Sequence, residues 1–170
     1  MLITVTNYTQ LDTAALMAVY AESNRENAEE MFPELETAEG VLKVETGFLD
    51  FLKTDFFAKQ NNTYFVLEEG GEWLAALRTT ELPERLFYLE ALETRPDARR
   101  RGCAAKLINA VIAELSKGGS FRLRDCVDKM NIPSVKTHEK CGFRIVGDGY
   151  DCISGDTKPW EYSMEYRFDG

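Results

Sequence analysis

The run Arg99-Arg100-Arg101-Gly102-Cys103-Ala104 is the part of this 170-residue sequence whose residue types and spacing speak most directly of chemistry. A strand-like apolar stretch ends near Thr94, Pro96 stops it, and the arginines lead straight into an apolar stripe with helical spacing. A helix start leaves main-chain N–H groups unpaired and carries the positive end of the helix dipole, so it attracts anions. Gly102 lets the backbone approach an anion with no Cβ in the way, and Ala104 is small beside it. Three consecutive guanidinium groups offer forked donors to phosphate oxygens. Without an anion they would crowd the positive end of the dipole. From Arg95 to Lys106 there are five basic residues (Arg95, Arg99, Arg100, Arg101, Lys106) against one acidic residue, Asp97. The expectation is a cradle for a small polyanion such as a pyrophosphate; the alternative is a basic surface patch at a helix end. There is no G-K-[ST] and no G-x-G-x-x-G, which sets aside two common glycine-rich nucleotide loops.

The rest of the composition narrows the field. A net charge of −9 argues against a general nucleic-acid binder, which needs a basic footprint. With 44% hydrophobic and 29% charged residues the chain reads as one globular domain over residues 1–170. No apolar run approaches the length of a membrane span. The start, Met1-Leu2-Ile3-Thr4-Val5, has neither a basic region nor a small-residue cleavage site, so no signal peptide is expected and the chain reads as cytoplasmic. The four cysteines, Cys103, Cys126, Cys141 and Cys152, show no C-x-x-C spacing, and His138 is the only histidine. No metal site is expected from that set, and the thiols read as reduced.

The elements that must hold the arginine turn follow from periodicity. Leu2 to Thr6 reads as a strand, Leu11 to Ala21 as a helix, and the acidic Asn24 to Gly40, interrupted by Pro33, as a broken helix or loop. Val41 to Lys59 reads as one long amphipathic helix. Thr63–Glu68 and Trp73–Thr79 around Gly70-Gly71 form a hairpin, and Leu86 to Thr94 is a further strand. Gly102 to Ser116 is helical, Phe121 to Val127 a strand, and Pro133 to Cys141 a short helix with Asn131 as N-cap and Gly142 ending it. Phe143 to Val146 begins another strand. In Trp160 to Phe168 the residues Trp160, Tyr162, Met164, Tyr166 and Phe168 share one face of a half-buried antiparallel strand, whose partner lies within the chain or across a homodimer. The order β-α-α-β-β-β-α-β-α-β-β is that of a mixed α/β domain.

Arg99-x-x-Gly102-x-Ala104, after a strand and Pro96 and before an amphipathic helix, resembles the R/Q-x-x-G-x-G/A motif of the GNAT acetyltransferase superfamily. Asn131-Ile-Pro-Ser134-Val-Lys-Thr-His138-Glu-Lys-Cys-Gly142-Phe143 is similar to that family's N-x-x-[AS]-x-x-x-[Y]-x-x-x-G-F segment. The likeness is close over 86–146 and a matter of pattern elsewhere. It implies a mostly antiparallel sheet of six or seven strands with about four helices, whose fourth and fifth strands splay apart. It also implies acetyl-CoA as acyl donor, with its pantetheine arm in the splay. The Leu92 and Thr94 backbone would then pair with that arm. Arg99, Arg100, Arg101, Gly102, Cys103 and Ala104 would hold the pyrophosphate, and Asn131 and Ser134 would lie beside the pantetheine. The implied reaction is direct attack of an amine on the thioester, with a strand-four N–H stabilising the tetrahedral intermediate.

Such a reaction needs a base for the ammonium proton and an acid for the departing thiolate. The family often has tyrosine where this chain has His138. The imidazole is a candidate acid, a candidate base, or a packed helix-face residue. Glu90 is the candidate base, since regular alternation puts it on the Leu92 and Thr94 face of an apolar strand, where a raised pKa is expected. Glu93, on the opposite face, ranks second. Acidic residues from Glu22 to Glu39 and in the Asp148–Asp156 loop favour a cationic amine acceptor or form a solvated face, and Tyr20, Phe32 and Tyr150 are candidates to line its pocket. Two other readings stand beside the enzyme: an acyl-CoA-binding sensor without turnover, and an α/β protein with an adventitious basic turn.

Overall fold

The computed structural model describes residues 1–170. Strand β1 (Leu2–Val5) is followed by three helices, α1 (Thr13–Val19), α2 (Ala21–Met31) and α3 (Thr37–Phe51). Then come β2 (Asn62–Glu69), β3 (Glu72–Leu82), β4 (Leu86–Thr94), α4 (Cys103–Ser116), β5 (Phe121–Asp128), α5 (Ile132–Lys140), β6 (Arg144–Tyr150) and β7 (Thr157–Phe168). The seven strands form one sheet in the order β1-β2-β3-β4-β5-β7-β6. Only β4 and β5 run parallel; every other neighbouring pair is antiparallel.

Local chemistry sets most boundaries. Asp12 caps α1 by accepting the Ala15 N–H at 3.0 Å. Gly70 (φ 64°) and Gly71 (φ 85°) supply the left-handed pair that a tight β2–β3 turn requires. Asn131 accepts the Ser134 N–H at 3.2 Å and starts α5. The acidic 24–40 segment is mostly helix rather than loop: α2 runs to Met31, so Pro33 separates two helices instead of breaking one. The long helix expected over 41–59 stops at Phe51 and continues as a π-helical turn over Leu52–Phe56, which turns Phe56 into the core. The molecule thus has five helices.

Two apolar cores lie on opposite faces of the sheet. One is built from Leu107, Ile108 and Val111 of α4 with Phe65, Leu77, Leu89, Leu123 and Met164. The other joins Leu16 and Val19 of α1, Leu52 and Phe56 to Tyr64, Val66 and Ala76. The β7 side chains follow the expected alternation through Tyr162, Met164, Tyr166 and Phe168, but Trp160 is 59% exposed. The β6–β7 register slips between Asp148 and Gly149, and Trp160 lies beside that slip. Strand β7 is paired on both sides, by β5 and β6, so its partners lie within the chain and the sheet edge is β6.

Helices α2 and α3 meet closely at Ala28 and Gly40, where a Cβ on Gly40 would stand 3.2 Å from the Ala28 Cβ. Gly40→Val is therefore expected to destabilise the fold by about 1–3 kcal/mol through overpacking, measured by urea unfolding.

Candidate active site

The parallel pairing of β4 with β5 covers only Leu86↔Arg122, Phe87↔Leu123 and Tyr88↔Arg124. Beyond Tyr88 the strands part and leave a fork. Arg95 donates its N–H to the Leu74 carbonyl, so alternation turns the main-chain groups of Thr94 and Leu92 the other way, to the side β5 has left. The edge expected at Leu92 and Thr94 thus has no strand beside it, although the Thr94 carbonyl takes the Arg99 Nε–H at 3.4 Å and the Thr94 N–H bonds the Glu93 carboxylate.

The arginine turn sits at the wide end of this fork. Arg100 (φ 60°) and Gly102 (φ 77°) are both left-handed, and α4 begins at the buried Cys103. The main-chain N–H groups from Arg100 to Ala105 take no partner in the protein. That run of unpaired donors at a helix start fits a diphosphate. The five cations around it are not equivalent. Arg95 is held by Asp97 and Glu72, and Lys106 by Glu69. Arg99 reaches Glu22 of α2 and Glu93 of β4. Arg100 and Arg101 are exposed and make no ion pair, which leaves them free for phosphate. Ala104 follows Cys103 in the first turn of α4.

The middle of β4 corrects the expected side-chain faces. Ala91 is left-handed (φ 54°), and the register passes from Arg78↔Glu90 to Ala76↔Glu93, so β4 carries one residue more than β3. This is a β-bulge. It puts Glu90 and Glu93 on the same face, towards α1–α3, while Leu92 packs into the α4 core. Glu90 is 3.5 Å from Arg78, whose guanidinium lies over the rings of Phe51 and Phe56, so Glu90 is already committed to a cation. Glu93 instead lines a cleft of about 290 Å³ with Tyr20, Ser23, Asn24, Asn27, Phe48 and others. Burial holds the Glu93 carboxyl above the usual carboxylate range, against a hydrogen bond from the Thr94 N–H; the neighbouring Glu26 adds to the shift. The bulge is pinned from behind. The Tyr20 hydroxyl donates to the Ala91 carbonyl and lies 2.7 Å from the Tyr64 hydroxyl, with both tyrosines buried and Ala91 partly so.

His138 lies elsewhere. It is fully buried beneath α5, edge-on to Phe143 with ring centres 5.0 Å apart. Its Nδ1 is 2.9 Å from the Ser134 carbonyl, which only accepts, so that nitrogen carries a proton. Nε2 is 2.9 Å from Asp125 Oδ2, off the line of a straight N–H bond. Burial alone would lower the His138 pKa; the Asp125 carboxylate and the Ser134 carbonyl overcome it and hold it above 6.5. Burial likewise lifts Asp125, with His138 pulling it back in part. The ring is closed off between Asp125, Ser134 and Phe143 with no exposed surface, so the residue expected as acid or base has no path to solvent here. Asn131 caps α5, and Ser134, partly exposed on its first turn, backs His138.

The model of the acetyltransferase (GNAT) family matches residues 19–143. The chain belongs to the GNAT family. No curated protein sequence matches it as a relative. Among solved structures, this GNAT protein is similar in fold to the PaiA N-acetyltransferase of Thermoplasma acidophilum in complex with coenzyme A, with a TM-score of 0.66 at 13% identity over 99% of each chain. It is also similar to the ribosomal-protein-S18-alanine N-acetyltransferase of Escherichia coli (TM-score 0.63, 20% identity, 100% of this chain and 96% of that one). An acetyltransferase of Thermus thermophilus gives 0.63 at 21% identity over 99% and 96%.

Both His138 and Asp125 bind protons more tightly in the folded state, so their joint contribution is full at low pH and declines as pH rises. The His138 part is complete below the ordinary value of 6.5 and is lost as pH climbs through the raised folded value. Thermal unfolding followed from pH 6 upward is expected to show that fall, and Asp125→Asn to flatten it. His138→Phe leaves Asp125 buried without its partner and is expected to cost about 3–5 kcal/mol. Adding Asp125→Asn is expected to recover most of that loss.

Proposed function

We propose that this GNAT protein transfers an acetyl or other acyl group from acyl-CoA to a primary amine by direct attack within a ternary complex. The observation that carries this is the meeting of three features at one fork. They are the unpaired N–H run at Arg100–Ala105, the open β4 edge at Leu92 and Thr94, and a carboxylate-bearing cleft across the bulge. Bound acyl-CoA would supply a thioester, an acyl group on a leaving thiolate.

The chain's own residues divide the work. Arg100 and Arg101, with the N–H groups of Gly102, Cys103 and Ala104, hold the diphosphate. The Leu92 N–H donates towards the thioester carbonyl oxygen, where negative charge develops as the amine attacks. The Glu93 carboxylate, directly or through water, takes the ammonium proton, so that a C–N bond forms as the C–S bond breaks and a thiolate departs. Burial tunes Glu93 for this: a base with a raised pKa holds the abstracted proton more readily. Glu22 and Glu26 beside the cleft favour an acceptor that arrives as a cation. Glu90 supports the bulge through Arg78.

A second reading, an acyl-CoA-binding sensor without turnover, draws on one observation: where the family often places a tyrosine, this chain buries a histidine in an ion pair. Incubation with acetyl-CoA and a panel of primary amines, following release of free thiol, separates the two. Turnover is expected, and CoA binding with no turnover on any amine favours the sensor. Glu93→Gln is expected to lower kcat by about 10²–10⁴ and to flatten the acidic limb of the pH–rate profile. Glu90→Gln should keep most of the activity. The opposite ranking of the two variants would return the base to Glu90.

A further inference from the structure

Arg99 is the one member of the arginine turn whose side chain is already engaged, and its three contacts lie on the two sides of the site. Its Nε donates to the Thr94 carbonyl at 3.4 Å, on the open edge of β4. One terminal nitrogen pairs with Glu22 of α2, and the other stands 3.7 Å from Glu93. The guanidinium thus lies over the end of β4 towards α2, against a main-chain acceptor that an extended ligand would need and a carboxylate that faces the cleft.

These contacts are strong enough to hold the side chain and weak enough to exchange. The Arg99, Glu22 and Glu93 side chains are 44%, 33% and 30% exposed, so solvent screens each attraction. A diphosphate seated on the neighbouring N–H groups carries more charge than either carboxylate and matches the guanidinium fork in a bidentate way.

We propose that Arg99 is a latch between the two halves of the site, resting on the acyl-CoA reading above. In the free protein Glu22, Glu93 and the Thr94 carbonyl hold it over the end of β4. Acyl-CoA draws it to the diphosphate and so uncovers both the β4 edge and Glu93. Glu22 is a positioning residue in this scheme, since it acts on the cofactor only through Arg99. Exchange of one cation between two sites couples them: the cleft carboxylate loses its internal counter-ion when the cofactor is in place, and an incoming ammonium takes it over.

The test is calorimetric titration of CoA into the wild-type protein, Glu22→Gln, Arg99→Gln and the double variant. Release of the latch is expected to tighten CoA binding by about fivefold in Glu22→Gln, the value of one partly exposed ion pair. The same substitution is expected to change nothing in the Arg99→Gln background. An unchanged affinity in Glu22→Gln overturns the latch. Equal tightening in both backgrounds overturns it too, because it marks a general field effect of removing a negative charge near a polyanion. Wild-type protein that does not bind CoA at all overturns the cofactor reading itself, a result distinct from either failure of the latch.

Discussion

The hydrogen bond from the Tyr20 hydroxyl to the Ala91 carbonyl is the contact on which the rest of the site depends. Ala91 is not a glycine, and a left-handed alanine in a strand persists only where its surroundings fix it. Tyr20 stands at the junction of α1 and α2, and its hydroxyl is shared with Tyr64 of β2, so two elements fix one peptide. The bulge then has two consequences at once. It brings Glu93 onto the face of β4 that looks towards α2 and α3, and it bends β4 where β5 leaves it. A fork without the bulge would have its edge but not its carboxylate.

Electrostatics sorts the basic turn more finely than a count of charges does. Five cations lie within twelve residues, yet three of them are neutralised by carboxylates from β2, β3, β4, α2 or the turn itself. What is left for an anion is the run of unpaired N–H groups at the start of α4, with the unpaired Arg100 and Arg101 at its rim. Arg99 stands between the two halves, on the turn by sequence and against Glu22 and Glu93 by its side chain, which is why the proposed latch is placed there.

Much of the fold was legible in the sequence because local chemistry decided it. Pro96 and Gly102 bracket the turn, Gly70-Gly71 fixes the hairpin, and Asn131 and Gly142 mark the ends of α5. The parting of β4 and β5 came from the likeness of two motifs to a known family rather than from periodicity. What stayed hidden was non-local. Period-two alternation carried through β4 puts Glu90 and Leu92 on one face and ranks Glu93 second. The bulge at Ala91 reverses that, and its cause, Tyr20, lies 71 residues away. His138 had the sequence position of a reacting residue, but its surroundings were set by Asp125 on β5, which no local pattern links to it. The cleft residues Asn24, Asn27 and Phe48 carried no sequence signal, because a helix reads as amphipathic whether its inner face meets a core or a ligand.

The central claim is that one fork binds acyl-CoA, with its diphosphate on the α4 start and its arm along β4. The most direct measurement is a map of backbone amide shifts in the ¹⁵N-labelled protein as CoA is added. The largest changes are expected at Arg100–Ala105, Leu92 and Thr94, with Glu93 following as Arg99 moves. Saturable shifts confined to another surface, such as the β6 edge, or no shifts at all, would contradict it.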